Sequence, residues 1–270
     1  MRHVKETEKP KKKTGRIIVI LLLVVLVGGF IFGAIMATKT AVTAEHEAQT
    51  FREIAELVDE EDDAVNEETG TLRKYDELYK RNPDFFGWLK IEDTVIDYPV
   101  MYRPGDNDTY LHMDFYGDYS ESGMLFMDGN CPSDGSTALI YGHHMRNGSM
   151  FGSLPKFCEK KYYDKHKIIW FDTRYEQRDY EIFAVLYSEV YDVSEEDQHY
   201  CYYKHTDLSD EAEFNAYVAF AKENSLYDTG VTPKFGERIL TLSTCNYHTE
   251  DGRLVVVARE VPKTDEKKTK

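Results

Sequence analysis

Residues 17–38, twenty-two in a row, carry no formal charge and are rich in Ile, Leu and Val. As a helix rising about 1.5 Å per residue, this stretch spans a hydrocarbon core of about 30 Å. Residues 1–16 hold seven Lys/Arg against two Glu. A basic excess ahead of an apolar span keeps that end in the cytoplasm, so everything after Lys39 is expected outside. A cleaved signal peptide competes, because Val42 and Ala44 resemble the small residues before a cleavage point, but so long an apolar stretch favours an uncleaved anchor. Gly28, Gly29 and Gly33 fit the ordinary composition of a membrane span.

Of the formal net charge of −16, the chain beyond residue 16 carries −21. No nucleic-acid partner is expected for so acidic a surface. Four cysteines, at 131, 158, 201 and 245, lie 27, 43 and 44 residues apart, without the short pairs of a metal site. Cys131, Cys158 and Cys201 are expected to be unpaired.

Residues 44–77 contain thirteen Asp/Glu against three Lys/Arg, yet Phe51, Ile54, Ala55 and Val58 keep helical spacing. The expectation is a solvated helical stalk, with Glu60-Glu61-Asp62-Asp63 as a solvated charge run. A short amphipathic segment follows, with Leu72, Tyr75 and Tyr79 on one face, ended by Asn82-Pro83. From Phe86 the pattern changes to short β-type runs at 87–91, 94–100, 124–127, 137–141, 167–171, 180–186, 239–242 and 254–258. About eight strands in one domain predict a closed or nearly closed barrel, a mainly β fold. Residues 209–224 interrupt it with a helical stripe, Phe214, Tyr217, Val218 and Ala221, after a Ser/Asp start. The expected organisation is a cytoplasmic basic tail (1–16), a transmembrane anchor (17–38), an acidic stalk (39–70), a catalytic domain (71–262) and a disordered tail (263–270).

Thr241-Leu242-Ser243-Thr244-Cys245 reads as a strand ending on a cysteine, followed by a polar loop and then Arg253 opening another strand. If 246–252 form a hairpin loop, Cys245 and Arg253 are opposed partners projecting from one face. An arginine there favours the thiolate and offers hydrogen bonds to a developing oxyanion. A cysteine nucleophile also needs a proton carrier, and Tyr141-Gly142-His143-His144-Met145 places two histidines just past a strand end. Neighbouring side chains on extended backbone point to opposite faces, so only one should face the cysteine. Spacing alone does not choose between them.

These residues resemble the class B sortases of Gram-positive bacteria. The likeness rests on the Thr-Leu-Ser-Thr-Cys strand, Arg253 and the segment from Tyr141-Gly142-His143 to Met150-Phe151. It continues through Asn82-Pro83-Asp84-Phe85-Phe86-Gly87-Trp88, Ile96-Asp97-Tyr98-Pro99-Val100 and Phe115-Tyr116-Gly117. The resemblance implies an eight-stranded sortase barrel with N-terminal helices and a helix before the cysteine strand. It also selects His143, beside Cys245 and Arg253, as the catalytic histidine. Asn107, Leu111, Tyr141, Ser243 and Thr244 match positions around the sorting-signal groove. This chain has Asn246 where some members have an acidic residue after the cysteine. The 189–206 loop departs most, and only Tyr200 is offered there, as a pocket wall.

The implied activity is cleavage of a C-terminal NPxTx or SPxTG sorting signal after threonine, through a thioacyl enzyme. The implied partners are secreted proteins bearing that signal and a peptidoglycan amine, with no metal or organic cofactor required. Pilin polymerisation uses the same chemistry with a protein lysine as the amine. Two other classes compete. A metalloenzyme would use His143, His144, Cys245 and His248, although adjacent histidines rarely aim at one ion. A non-catalytic surface-binding module would leave Cys245 unreactive.

Overall fold

The computed structural model describes residues 13–59, 61–246, 248, 249 and 251–261. Most of the expected basic tail and all of the Lys-rich tail lie outside the described residues. The chain divides into two compact units at Arg52/Glu53. Among the described residues one helix, α1 (Lys13–Ala55), is long and apolar enough to cross a membrane. Its large apolar side chains from Ile17 to Met36 are exposed.

The helical stretch ends at Ala55, earlier than the expected stalk. Carboxylates at 59–63 would lie against the negative end of any continuing helix, where they are disfavoured. Ile54 is fully buried, and the Asp59 N–H donates to the Lys74 carbonyl at 3.3 Å. Val65 forms an antiparallel bridge with Leu72. The acidic run is also not simply solvated. Asp62 pairs with Arg73 at 3.0 Å, and Asp63 accepts from Gln177 Nε2 at 2.9 Å. A 3-10 turn at Arg73–Tyr75 leads into α2 (Asp76–Arg81), and Leu72, Tyr75 and Leu78 along this stretch are buried. Tyr79, expected on that face, instead lies outside with the Arg174 guanidinium 4.0 Å from its ring centre.

The strands are β1 (Phe85–Lys90), β2 (Asp97–Tyr102), β3 (Leu125–Met127), β4 (Thr137–Tyr141), β5 (Ile168–Thr173), β6 (Asp179–Glu189), β7 (Ile239–Cys245) and β8 (Gly252–Glu260). They close a barrel in the order β1-β2-β3-β4-β7-β8-β6-β5. Closure removes free edges, and the inward positions fill the interior with Leu89, Val100, Phe171, Leu240, Leu242 and Val256. After the short α3 (Lys160–Tyr163), α4 (Glu211–Glu223) lies in the β6–β7 connection. Asp210 caps α4 by accepting from the N–H groups of Ala212 and Glu213. The expected stripe Phe214, Tyr217, Val218 and Ala221 is buried, and the Tyr217 hydroxyl reaches Thr241 Oγ1 at 2.7 Å.

The pairing of β4 with β7 positions the site. They run parallel with Tyr141 opposite Ser243, so the residues after both leave the barrel at the same rim. β8 returns antiparallel from that rim.

Candidate active site

Cys245 and Arg253 are opposed in the β7–β8 ladder, as the loop length predicts. Cys245 is exposed at the strand end. Arg253 is braced on its own hairpin, where Nη1 donates to the carbonyls of Asp251 and Gly252 at 3.0 and 3.1 Å. Its Nε and Nη2 have no protein partner among the described residues. Two donors of a planar fork are therefore left for a ligand.

His143 leaves the end of β4 at the same rim. Gly142 before it is required by close approach, since a Cβ there would lie 2.4 Å from Leu125 Cδ2 and 2.7 Å from Phe151 Cδ2. Nε2 of His143 lies 2.9 Å from the Leu111 carbonyl oxygen. A carbonyl only accepts, so Nε2 carries a hydrogen and Nδ1 is the nitrogen that gains or loses a proton. The ring stacks on His112 with centroids 5.5 Å apart. His144 turns the other way, with Nδ1 3.0 Å from the Cys245 carbonyl oxygen, so it touches the cysteine's backbone.

Cys245, His143, Arg253, Asn107, Leu111, Tyr141, Ser243 and Thr244 all line one cavity of about 470 Å³. The fine placement differs from a simple row of ligand contacts. Ser243 and Thr244 are buried, and their hydroxyls are committed internally, Ser243 to the Tyr202 hydroxyl and Thr244 to the Gly142 carbonyl, both at 2.7 Å. Tyr141 donates to Asp128 at 3.1 Å, and burial, then the Asp128 charge, pushes its hydroxyl pKa far up. Asn107 Oδ1 accepts from the Gly129 N–H at 2.7 Å. Asn246 is turned into the hairpin, accepting from the His248 N–H at 3.1 Å.

The wall supplied by the 189–206 connection consists of Val190, Tyr202 and Tyr203. Tyr200, the residue expected there, packs elsewhere, stacked on Phe220 at 4.4 Å and on His205 at 4.3 Å. Tyr202 is fully buried beneath the site. Burial pushes its hydroxyl up to about 12, opposed by its bond to Ser243 and by the Arg253 charge. Phe126 and Asp108 complete walls that the sequence did not single out.

The other cysteines are free as well. Cys131 is buried and its thiol is pushed up to about 12 by burial, which leaves it protonated and inert. Among the described residues no group of three or more His, Cys, Asp or Glu is arranged to hold a metal ion. An exposed thiol, a histidine with one free ring nitrogen and an arginine with unused donors around one groove suit acyl transfer from an extended peptide.

Comparison with known proteins points the same way. The model of the sortase domain family matches residues 89–261. Sortase B of Listeria monocytogenes is 32% identical over 247 residues, 90% of this chain and 96% of that protein. Sortase B of Bacillus anthracis in complex with AAEK1 is similar with a TM-score of 0.69 and 29% identity, covering 82% of this chain and 98% of that one. A Staphylococcus aureus sortase B–substrate complex has a TM-score of 0.69 at 26% identity, covering 83% of this chain and 100% of that one.

Proposed function

The chain belongs to the class B sortases, cysteine transpeptidases that anchor surface proteins, and from this we propose that Cys245 cleaves an NPxTx or SPxTG sorting signal after its threonine. The thiolate attacks the threonine carbonyl, and the C–N bond breaks to leave a thioacyl enzyme. His143, protonated at Nδ1, gives its proton to the departing amine. The unused donors of Arg253 hold the oxyanion. An amine of peptidoglycan or its precursor then loses a proton to His143, attacks the thioester and releases the thiolate. The product is a secreted protein joined to the wall by an amide bond.

The observation that carries this reading is the register of Cys245 opposite Arg253 at the rim where His143 leaves β4. Asn107, Leu111 and Tyr141 contribute groove walls, whereas Ser243 and Thr244 act from beneath by fixing Tyr202 and the Gly142 carbonyl. Residues 17–38 anchor the chain in the cell membrane, supported by their exposed apolar surface. Basic residues 1–16 support a cytoplasmic N-terminus and an extracellular catalytic domain. Incubating the purified chain with a pentapeptide library and candidate amines tests the reaction. Mass analysis should find amide products ending at threonine, absent with Cys245→Ala. Unchanged turnover in that variant overturns the mechanism.

A further inference from the structure

On the side of the barrel opposite β4 and β7, the strands β2, β1, β5 and β6 place one cross-strand row on the outer face. Asp97 is opposite Lys90, Lys90 opposite Trp170, and Trp170 opposite Asp179. The next row sets Trp88 opposite Asp172. Side chains two apart on a strand share a face, so both rows point outward while Leu89, Phe171 and Tyr180 point into the core. These rows line a cavity of about 450 Å³. Both tryptophans of the chain are in it. A second cavity, also of about 450 Å³, shares Trp170 and Asp179 with the first, so the two adjoin at these residues.

The polar groups are held rather than loose. The Trp88 indole N–H donates to Asp97 at 2.6 Å, which fixes the ring and leaves its face as the surface it offers. Lys74, nearly buried, bonds Asp172 at 2.7 Å, and the Tyr75 hydroxyl donates to the same carboxylate at 3.0 Å. Trp170 and Asp179 have no side-chain hydrogen bond or ion pair among the described residues. Carboxylates and ammonium groups thus alternate beside two indole faces, with an unused acceptor and an unused indole donor at the centre.

That chemistry fits a saccharide. A pyranose presents C–H groups to an aromatic face and hydroxyls that need donors and acceptors side by side. Four carboxylates against two lysines in the first cavity disfavour an anionic ligand. The continuation past Trp170 fits several sugar units in a row better than one. We propose that this cleft binds the glycan strand of the cell wall, holding the polymer on the barrel face away from Cys245. That the glycan is the wall's own rests on the anchoring function; the binding itself needs no catalysis.

Because both tryptophans line the cleft, their emission reports on it directly. The full chain in detergent micelles is titrated with peptide-free glycan strands from a Gram-positive cell wall, with a soluble α-glucan and an oligolysine as comparisons. A saturable change in emission with the wall glycan is expected, retained in Cys245→Ala. Trp170→Phe and Asp179→Ala should each weaken it about tenfold, the size of one lost stacking or hydrogen-bonding contact, and leave peptide cleavage unchanged. No change in emission, equal affinity in both variants, equal binding of the α-glucan, or oligolysine binding in place of the glycan would each overturn the proposal. Loss of peptide cleavage chemistry would not, so the two readings fail separately.

Discussion

Arg253 and Arg259 lie six positions apart on β8, and a strand's period of two gives them the same face, yet their surroundings differ. Arg253 stands at the rim opposite Cys245 with Nε and Nη2 unused, whereas Arg259 bonds Glu181 at 2.8 Å and Glu237 at 3.2 Å. Lysine keeps the charge but loses the fork. Arg253→Lys should therefore lower kcat/KM by roughly 10²-fold, the size of a lost oxyanion donor, with little change in the pH dependence of Cys245 alkylation. Arg259→Lys should cost about 1 kcal/mol of stability and leave turnover near that of the parent. Full activity in the first and a large loss in the second would show that the wrong arginine has been assigned. The two histidines separate in the same way. His143→Ala should lose at least about 10²-fold in turnover as a missing acid/base. His144→Ala removes a contact to the Cys245 carbonyl oxygen, not a proton carrier, and should lose far less in the same assay.

At the scale of elements, the loop from Asp106 to Leu111 holds one wall of the groove and supplies the carbonyl that orients His143. Asp106 accepts from the Thr109 hydroxyl and from the N–H groups of Thr109, at 3.0 Å, and Asp108, at 2.9 Å. The Thr109 hydroxyl first, then these N–H groups, hold its pKa down at about 2 against an ordinary 3.8. A depressed carboxylate stabilises the fold above its unfolded pKa, and that contribution fades as pH falls through the folded value. The Thr109 amide resonance should accordingly titrate with a midpoint near 2; a midpoint near 4 would mean that the carboxylate does not hold the loop. Such local bonding was not legible in the sequence, although the strands were, because alternation marks a half-buried strand whatever its neighbours. The opposition of Cys245 and Arg253 followed from the loop length between two such strands. The connection between β6 and α4 offered no period to read. It contains only 3-10 turns at Glu196–Gln198 and Tyr202–Lys204, and Tyr200-Cys201-Tyr202-Tyr203 is aromatic at nearly every step. Tyr202, fully buried, is the one that reaches Ser243. Tyr202→Phe should leave that buried hydroxyl unpaired at a cost of about 1–3 kcal/mol, read as a lower denaturant midpoint, whereas Tyr200→Phe should not disturb Ser243.

For the whole molecule, the boundary between linker and catalytic body is the feature that sequence and structure draw differently. Composition puts it near residue 70, because acidity continues to that point, but acidity describes solvation and not packing. Ile54 is fully buried, Val65 bridges Leu72, and Asp63 reaches Gln177, all within the unit that begins at Glu53. A chain starting at residue 71 therefore loses a core side chain and the cover over Leu72 and Lys74, both buried in the intact body. Removal of one buried isoleucine costs about 2 kcal/mol or more. For a body of this size that lowers Tm by roughly 4–8 °C. Chains starting at residues 53 and 71 should differ by at least that much in calorimetry, the longer one matching the catalytic body of the full chain in its unfolding transition and in peptide cleavage. Equal Tm values would return the boundary to residue 70 and make the packing of 53–70 incidental. Both truncations lack residues 17–38, so both should appear in the soluble fraction while the full chain sediments with membranes; a soluble full chain would mean that residues 17–38 do not anchor it.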